Sequence, residues 1–481
     1  MDLRPVAFIV GVLMIILAIA MTMTSLIALA DRSLDWQAFL ASAFITLFIG
    51  GALLLTTQGK KASISLKEAF VMTVAIWLTI AIFGSLPFLL AVDGLSLADA
   101  FFESMSGVTT TGSTVMVDLD NSPHGILLWR ALLQWFGGVG IIVMAVSFLP
   151  MLQVGGMQLF KTEAFDQSEK ILPRAAEIAV AILTLYCACT AIGAILLWLA
   201  GMGPFDAVIH AMTSLATGGF SSHDASIGYF NSPLIDWIVI GLMIIGSLPF
   251  AVFLVALRVG IKPFFEDGQI GTFLTVLGAA VGSMIIWLVW SQDYNLGYAI
   301  RLSAFNVTSI MTGTGYSTAD YGSWGGFAVA LMFIVMFIGG CAGSTTCGIK
   351  IFRFQVLFAA ARVQMSRLVQ PNGIFIPYYN GKPMPEDVPT SVMGFFCLFI
   401  STFAVLALIL GACGLDLVTA ITGAATAVAN VGPGLGDVIG PNGNFSTLPD
   451  SAKWAMSAGM LLGRLELFSV LVILLPSFWR D

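Results

Sequence analysis

Ten apolar runs, each long enough to cross a bilayer, begin near Val6, Trp36, Ala69, Gly125, Ile178, Pro233, Gln269, Gly325, Val392 and Trp454. About 30 Å of hydrocarbon is crossed by roughly 20 apolar residues in a helix, and a chain in lipid must satisfy its backbone polar groups internally. The expected fold class is therefore an all-α integral membrane protein. Charge agrees, since only 10% of the residues are charged where a soluble domain uses about a quarter. The run from Val6 to Ala30 exceeds the apolar core of a signal peptide, so it reads as a retained first helix.

Ten crossings put both termini on one side. That side carries Arg4, Lys60, Lys61, Lys67, Lys161, Lys170, Arg174, Arg258, Lys262, Lys350, Arg353, Arg362, Arg367, Lys382 and Arg480, against Arg32, Arg130, Arg301 and Lys453 on the other. By the positive-inside rule the termini are expected in the cytoplasm. The outer side is acidic, with Asp93, Asp99, Asp118, Asp120, Asp206 and Asp224 among its carboxylates, a surface that gathers cations and repels anions. Basic residues form no block, which leaves no footprint for nucleic acid. The six cysteines are scattered through apolar stretches without zinc spacing and read as small core residues.

Between the third and fourth, fifth and sixth, seventh and eighth, and ninth and tenth runs lies a shorter segment rich in Gly, Ser and Thr. The four align without gaps on Gly112, Gly219, Gly315 and Gly432. Twelve residues earlier stand the small Ala100, Ala207, Ser303 and Ala420; six residues earlier stand the hydroxylic Ser106, Thr213, Ser309 and Thr426. The approach to each glycine reads Thr109-Thr110-Thr111, Ala216-Thr217-Gly218, Thr312-Gly313-Thr314 and Ala429-Asn430-Val431. Ordinary loops have no reason to match in register, so these are one element written four times. A half-helix followed by an extended turn fits the residues: small side chains allow close packing, and Gly and Asn accept left-handed backbone. Irregular backbone at membrane depth survives only where it is buried or lines a watery cavity. Carbonyl rings in such a cavity can replace the hydration shell of an alkali cation.

Three further stretches stand out: 129–141, which includes Trp129, Arg130, Gln134, Trp135 and Gly137-Gly138; 339–350; and 430–434. With the fourfold repeat and two extra helices in front, they resemble the superfamily of K+ transporters that contains TrkH, KtrB and HKT, and within it the TrkH family, over nearly the whole chain. The resemblance implies a K+-selective, channel-like uptake pore and no enzymatic activity. It implies a filter built from Thr110, Thr111 and Gly112, Thr217, Gly218 and Gly219, Gly313, Thr314 and Gly315, and Asn430, Val431 and Gly432. It further implies a homodimer with one pore per chain, a cytoplasmic nucleotide-binding regulator of the TrkA type, lipid around the spans, K+ as the transported ion with no bound cofactor, and residence in a bacterial inner membrane. The domains expected are two leading helices at 1–58 and pore repeats at 59–160, 161–265, 266–370 and 371–481. The connections 161–174 and 350–367 are the expected contacts of the regulator.

The eighth run enters a glycine- and hydroxyl-rich stretch containing Gly339, Gly340, Gly343, Ser344, Thr345, Thr346 and Gly348. Each helical glycine costs about 1 kcal/mol relative to alanine, so the helix is expected to break there. Close helix packing and a movable loop below the filter both account for the composition; the resemblance favours the loop and makes it a gate. Cys347 departs from the family pattern, where glycine is expected. Arg464 lies within the last run, where an unpaired charge costs about 2.5–3.5 kcal/mol, so it is expected to face water or a carboxylate of another helix. The resemblance implies that it points into the pore. Arg130, Glu103 and Asp99 are expected near the outer boundary as ion guides or solvated charges, and His124, His210 and His223 as isolated residues. A Na+-permeable or ion-coupled symporter of the same fold stays open, whereas a membrane enzyme lacks the clustered polar residues that chemistry at membrane depth requires.

Overall fold

A computed structural model describes residues 1–57, 65–147, 156 and 175–480. Lys60, Lys61, Lys161, Lys170 and Arg174, and with them the connection 161–174, lie outside the described residues. The fold is helical and multi-pass. Two helices lead, α1 (Arg4–Ala30) and α2 (Trp36–Thr56), and pack along each other. Gly11 and Gly50 make this possible, because a Cβ at either would meet the backbone of the other helix at about 3 Å.

Four units of helix, half-helix and helix follow. The first comprises α3 (Leu66–Gly84) with its short continuation α4 (Leu86–Ala91), the half-helix α5 (Leu97–Val108) and α6 (His124–Ser147). The second comprises α7 (Ala175–Leu199), the half-helix α8 (Pro204–Leu215), α9 (Pro233–Ser247), α10 (Phe250–Val259) and the short α11 (Lys262–Glu266). The third runs through α12 (Gly268–Ser291), the half-helix α13 (Leu296–Met311), α14 (Gly326–Val335) and α15 (Ile351–Val369). A two-stranded hairpin, β1 (Tyr378–Tyr379) with β2 (Lys382–Pro383), leads to the fourth. That unit holds α16 (Asp387–Ala412), the half-helix α17 (Leu417–Ala429), α18 (Asp450–Arg464) and α19 (Phe468–Leu471).

Side chains start these helices where the sequence provides caps. Ser65 with Glu68, and Ser96 with Asp99, form capping boxes at α3 and α5, and Asn295 and Asp416 cap α13 and α17. Pro204 opens α8, where its missing N–H is no loss. The half-helices are buried along most of their length, with Ala100, Ala207, Ser303 and Ala420 at or below 4% exposure. Small residues at that position let each half-helix sit against its flanking spans.

Among the described residues seven helices are long and apolar enough to cross a bilayer, and nine if each bent pair counts as one. The expectation of ten crossings is therefore corrected at the sixth and tenth runs, which are bent where no break was expected, while the eighth is broken as expected. The sixth run bends by 95° between α9 and α10, and the tenth by 108° between α18 and the segment that begins with α19. The eighth is split between α14 and α15 by residues 336–350, as its glycines predict. Pro249 accounts for the sixth, since it cannot continue the hydrogen bonding of α9. The tenth breaks without proline, through left-handed backbone at Glu466 (φ 61°) and Leu467 (φ 50°).

Candidate functional site

All four half-helices end in the same way. The residue two before each aligned glycine is left-handed, with φ of 52° at Thr110, 50° at Thr217, 71° at Gly313 and 52° at Asn430. The next N–H then turns back to the carbonyl of the hydroxylic residue. Thr111 donates to Ser106, Gly218 to Thr213, Thr314 to Ser309 and Val431 to Thr426, over 2.8–3.2 Å. This is a Schellman ending, usually built with glycine at the left-handed position. Thr110, Thr217 and Asn430 each bear a cost there of up to about 1–2 kcal/mol, strain that persists only because the surroundings impose it.

The aligned glycines are left-handed too, with φ of 86° at Gly112, 79° at Gly219, 84° at Gly315 and 108° at Gly432. A Cβ on Gly112 would lie 2.2 Å from the carbonyl oxygen of Gly218, one on Gly219 1.8 Å from that of Thr314, one on Gly315 2.3 Å from that of Val431, and one on Gly432 3.0 Å from that of Thr111. Each glycine thus abuts the carbonyl preceding the glycine of the next unit, and the fourth unit returns to the first. The four turns form a closed ring in sequence order.

Buried side chains hold that ring from behind. Gln134 on α6 donates to the Gly218 carbonyl at 2.6 Å and accepts the Phe220 N–H at 3.0 Å. Asn430 donates to Thr111 Oγ1 and to the Met460 carbonyl, while Ser113 and Thr426 both donate to the Gly432 carbonyl. Arg130 and Glu103, expected as solvated charges, are instead a buried ion pair at 2.8 Å. The same guanidinium reaches the Ser221 carbonyl and stacks 4.1 Å from the Phe220 ring, so it joins units one and two. Asp99 likewise pairs with Lys453 of α18. His210, read as isolated, is buried between the Asp206 carbonyl and Ser221 Oγ, and His223 links Asp120 to the second unit. The ion pairs share one cause, that residues distant in sequence are brought together by the packing of separate helices and loops, whereas His210 bonds within its own unit.

Residues 339–348 sit against the same half-helices. Thr345 reaches the Leu215 carbonyl at the end of α8 and Thr217 Oγ1, and Cys347 Sγ approaches the Thr109 carbonyl. The broken end of α9 supplies acceptors, with Gly246 taking the N–H of Thr345 and Ser247 that of Cys341. A Cβ on Gly339 would meet the Cys347 carbonyl at 2.0 Å, which explains that glycine.

Arg464 makes no ion pair with a carboxylate among the described residues and is bound chiefly by backbone carbonyls. It ends α18 rather than sitting mid-span, and its guanidinium donates to the carbonyls of Thr345 (3.0 Å) and Gly137 (2.9 Å), touches Cys347 Sγ and lies over Trp77. A cation is favourable at that end of a helix. Lys350 and Arg353, counted as aqueous charges, are buried: Lys350 donates to the Thr346 carbonyl and hydroxyl, and Arg353 pairs with Glu466. A cavity of about 20 Å³, lined by Cys347, Lys350, Gly463, Arg464 and Glu466 among others, lies beside the loop. It has room for about one water. The sequence signal for Lys350 and Arg353 was their place directly after the glycine-rich break.

The family described as "Cation transport protein", TrkH, matches residues 35–480. The chain belongs to the TrkH family. The Trk system potassium uptake protein TrkI of Halomonas elongata is 45% identical over 478 residues, covering 99% of this chain and 97% of that protein. TrkH of Escherichia coli K12 is 38% identical over 486 residues, with full coverage of both. The crystal structure of the potassium transporter TrkH from Vibrio parahaemolyticus superposes with a TM-score of 0.92 at 36% identity, again covering both chains entirely. As a TrkH-family member the chain is a multi-pass membrane transporter of the Trk potassium uptake type, not an enzyme. The fold expected from the repeats is the TrkH fold.

Proposed function

We propose that the ring of four turns is a K+ filter and that residues 339–348, with Arg464, gate it. The observation that carries this reading is the closed cycle of glycine-to-carbonyl contacts, which brings the backbone of four separate units around one axis. Backbone carbonyls so gathered can replace the water around a dehydrated cation. Filter residues are then Thr110, Thr111, Gly112, Thr217, Gly218, Gly219, Gly313, Thr314, Gly315, Asn430, Val431 and Gly432. The half-helices direct their negative C-terminal ends at the ring, which favours a cation there.

Gating draws on Gly339, Gly340, Gly343, Ser344, Thr345, Thr346 and Gly348 as the loop and on Arg464 as its latch. A cation leaving the ring meets the loop backbone and a fixed positive charge together. In this reading the half-helices enter from outside, both termini are cytoplasmic, and the membrane is the bacterial inner membrane. Two chains associate, each with its own pore, and a nucleotide-binding regulator of the TrkA type acts on the cytoplasmic connections. The repeats at 59–160, 161–265, 266–370 and 371–481, behind leading helices at 1–58, are units of one pore.

Purified protein in vesicles at clamped voltage tests the reading through Rb+ and Na+ flux, with and without a pH gradient. Rb+ flux that exceeds Na+ flux, follows voltage and ignores the pH gradient is the expected result. Uptake that requires the pH gradient identifies an ion-coupled symporter, and equal Na+ flux removes the filter assignment.

A further inference from the structure

The bend of the sixth run leaves a segment that the pore does not use. Helix α9 has 15 residues, which at about 1.5 Å each reach roughly 22 Å, short of the roughly 30 Å of hydrocarbon. The chain therefore turns while still at membrane depth. With a bend of 95°, α10 runs nearly parallel to the membrane plane when α9 runs along the normal. Its inner side is anchored: Phe250 is fully buried, and Phe253 packs edge-on against Phe264 of α11. The end of α10 and the turn into and along α11 present exposed apolar side chains, with Leu257 74%, Val259 65%, Ile261 72% and Phe265 83% exposed. Arg258 and Lys262 are interleaved with these residues, and Lys262 meets Glu266 in a solvent-facing pair at 3.2 Å.

We infer that α10 and α11 form an in-plane surface that binds the anionic headgroups and upper acyl chains of the inner leaflet, and that this contact holds the loop 339–348 in place. An apolar strip edged by basic residues fits such an interface, where in-plane helices sink about 5–10 Å below the headgroups. Arg258 and Lys262 place their charge at headgroup level, where phosphate competes with Glu266 for Lys262, and acyl chain takes Leu257, Ile261 and Phe265. The link to the loop is direct, because the Phe250 N–H that begins α10 donates to the Gly343 carbonyl at 3.1 Å. Lifting α10 from the leaflet pulls on that bond. The coupling part of this inference rests on the gating role proposed above and the choice of leaflet on the orientation proposed there, whereas the lipid contact itself rests on neither.

Two measurements on the full-length protein in vesicles test it. A coumarin amino acid installed in place of Phe265 reports depth: quenching by bromines on the upper acyl chain is expected, and quenching by aqueous iodide alone overturns the lipid contact and marks the face as free for a soluble protein. Basal Rb+ flux is then compared in phosphatidylcholine vesicles with and without phosphatidylglycerol. Each basic side chain near an anionic surface shifts partitioning about fivefold, so phosphatidylglycerol should lower basal flux severalfold in the parent. The double variant Arg258→Gln/Lys262→Gln should show flux nearly independent of lipid. Lipid-quenched coumarin with equal parent flux in both vesicles refutes the coupling. Absence of Rb+ flux in every vesicle refutes the pore reading instead, and the depth measurement still decides the lipid contact.

Discussion

Replacing the ring glycines with alanine one at a time should produce a graded loss of stability whose order is fixed by the geometry. Alanine at the left-handed φ of all four glycines, Gly432 included, costs about 1–2 kcal/mol or more in backbone energy, so the order is set by what each Cβ meets. A Cβ at 1.8–2.3 Å from a carbonyl oxygen must also push a neighbouring unit aside, and overpacking of that kind costs about 1–3 kcal/mol. The sum, about 2–5 kcal/mol, is a large fraction of the 5–15 kcal/mol typical of a whole domain. Gly432 differs because its Cβ would stand 3.0 Å from the Thr111 carbonyl, a distance relieved by a few tenths of an ångström. Gly432→Ala should therefore melt highest of the four and Gly219→Ala lowest, measured by fluorescence-detected size exclusion of heated samples in detergent. The folded fraction of Gly432→Ala should also discriminate less between Rb+ and Na+ in vesicles, since the ring shifts even when the fold survives. Equal melting of Gly219→Ala and Gly432→Ala would refute the cyclic contact. Unaltered ion preference in a folded Gly432→Ala protein would refute its role as a filter.

Arg464→Ala removes two hydrogen bonds from a charged donor to buried carbonyls, each worth about 1.5–3 kcal/mol, so basal Rb+ flux should rise at least tenfold. Arg464→Lys keeps the charge without the planar fork; flux that stays low in this variant assigns the barrier to charge, and flux that rises assigns it to the latch. Glu466→Gln takes away the carboxylate paired with Arg353. Breaking a buried pair costs about 3–5 kcal/mol, which a melting measurement should register as a clear drop, and a melt matching the parent would show the pair to be dispensable.

The ring of turns was legible because it is written four times. Register alone located Gly112, Gly219, Gly315 and Gly432, and the hydroxylic residue six positions before each proved to be the acceptor that closes the half-helix. Left-handed backbone at Gly313 and Asn430 agrees with their residue types, whereas Thr110 and Thr217 carry no local sign of it; only the cyclic packing imposes it. The ion pairs were not legible. Glu103 lies on the half-helix α5 and Arg130 on α6, with the turn between them, and hydropathy assigned both to an outer boundary. Burial depends on which backbone closes over them, here the turn at Phe220 and Ser221. Lys350 and Arg353 were misassigned for a related reason: a charge after an apolar run reads as an aqueous end, yet this run breaks at membrane depth and its continuation is buried.

The loop side of the molecule abandons the symmetry of the ring, and the hydrogen bonds account for that difference. A broken helix in lipid exposes carbonyls at one end and N–H groups at the other, and each must find a partner inside the protein. The break after α9 exposes Gly246 and Ser247, whose carbonyls accept from Thr345 and Cys341 in the break between α14 and α15. The break after α18 leaves Arg464 at a helix end, and its guanidinium takes the Thr345 carbonyl of that same loop. The remaining acceptor comes from α6, the counterpart helix that stays continuous here, through Gly137, where a Cβ would collide with the Val108 carbonyl at 1.9 Å. Each break is thus tolerable only because the others are present. Restoring a continuous helix in any one of units two, three and four would strip partners from its neighbours, so the three breaks form a single cooperative element beneath a ring that repeats fourfold.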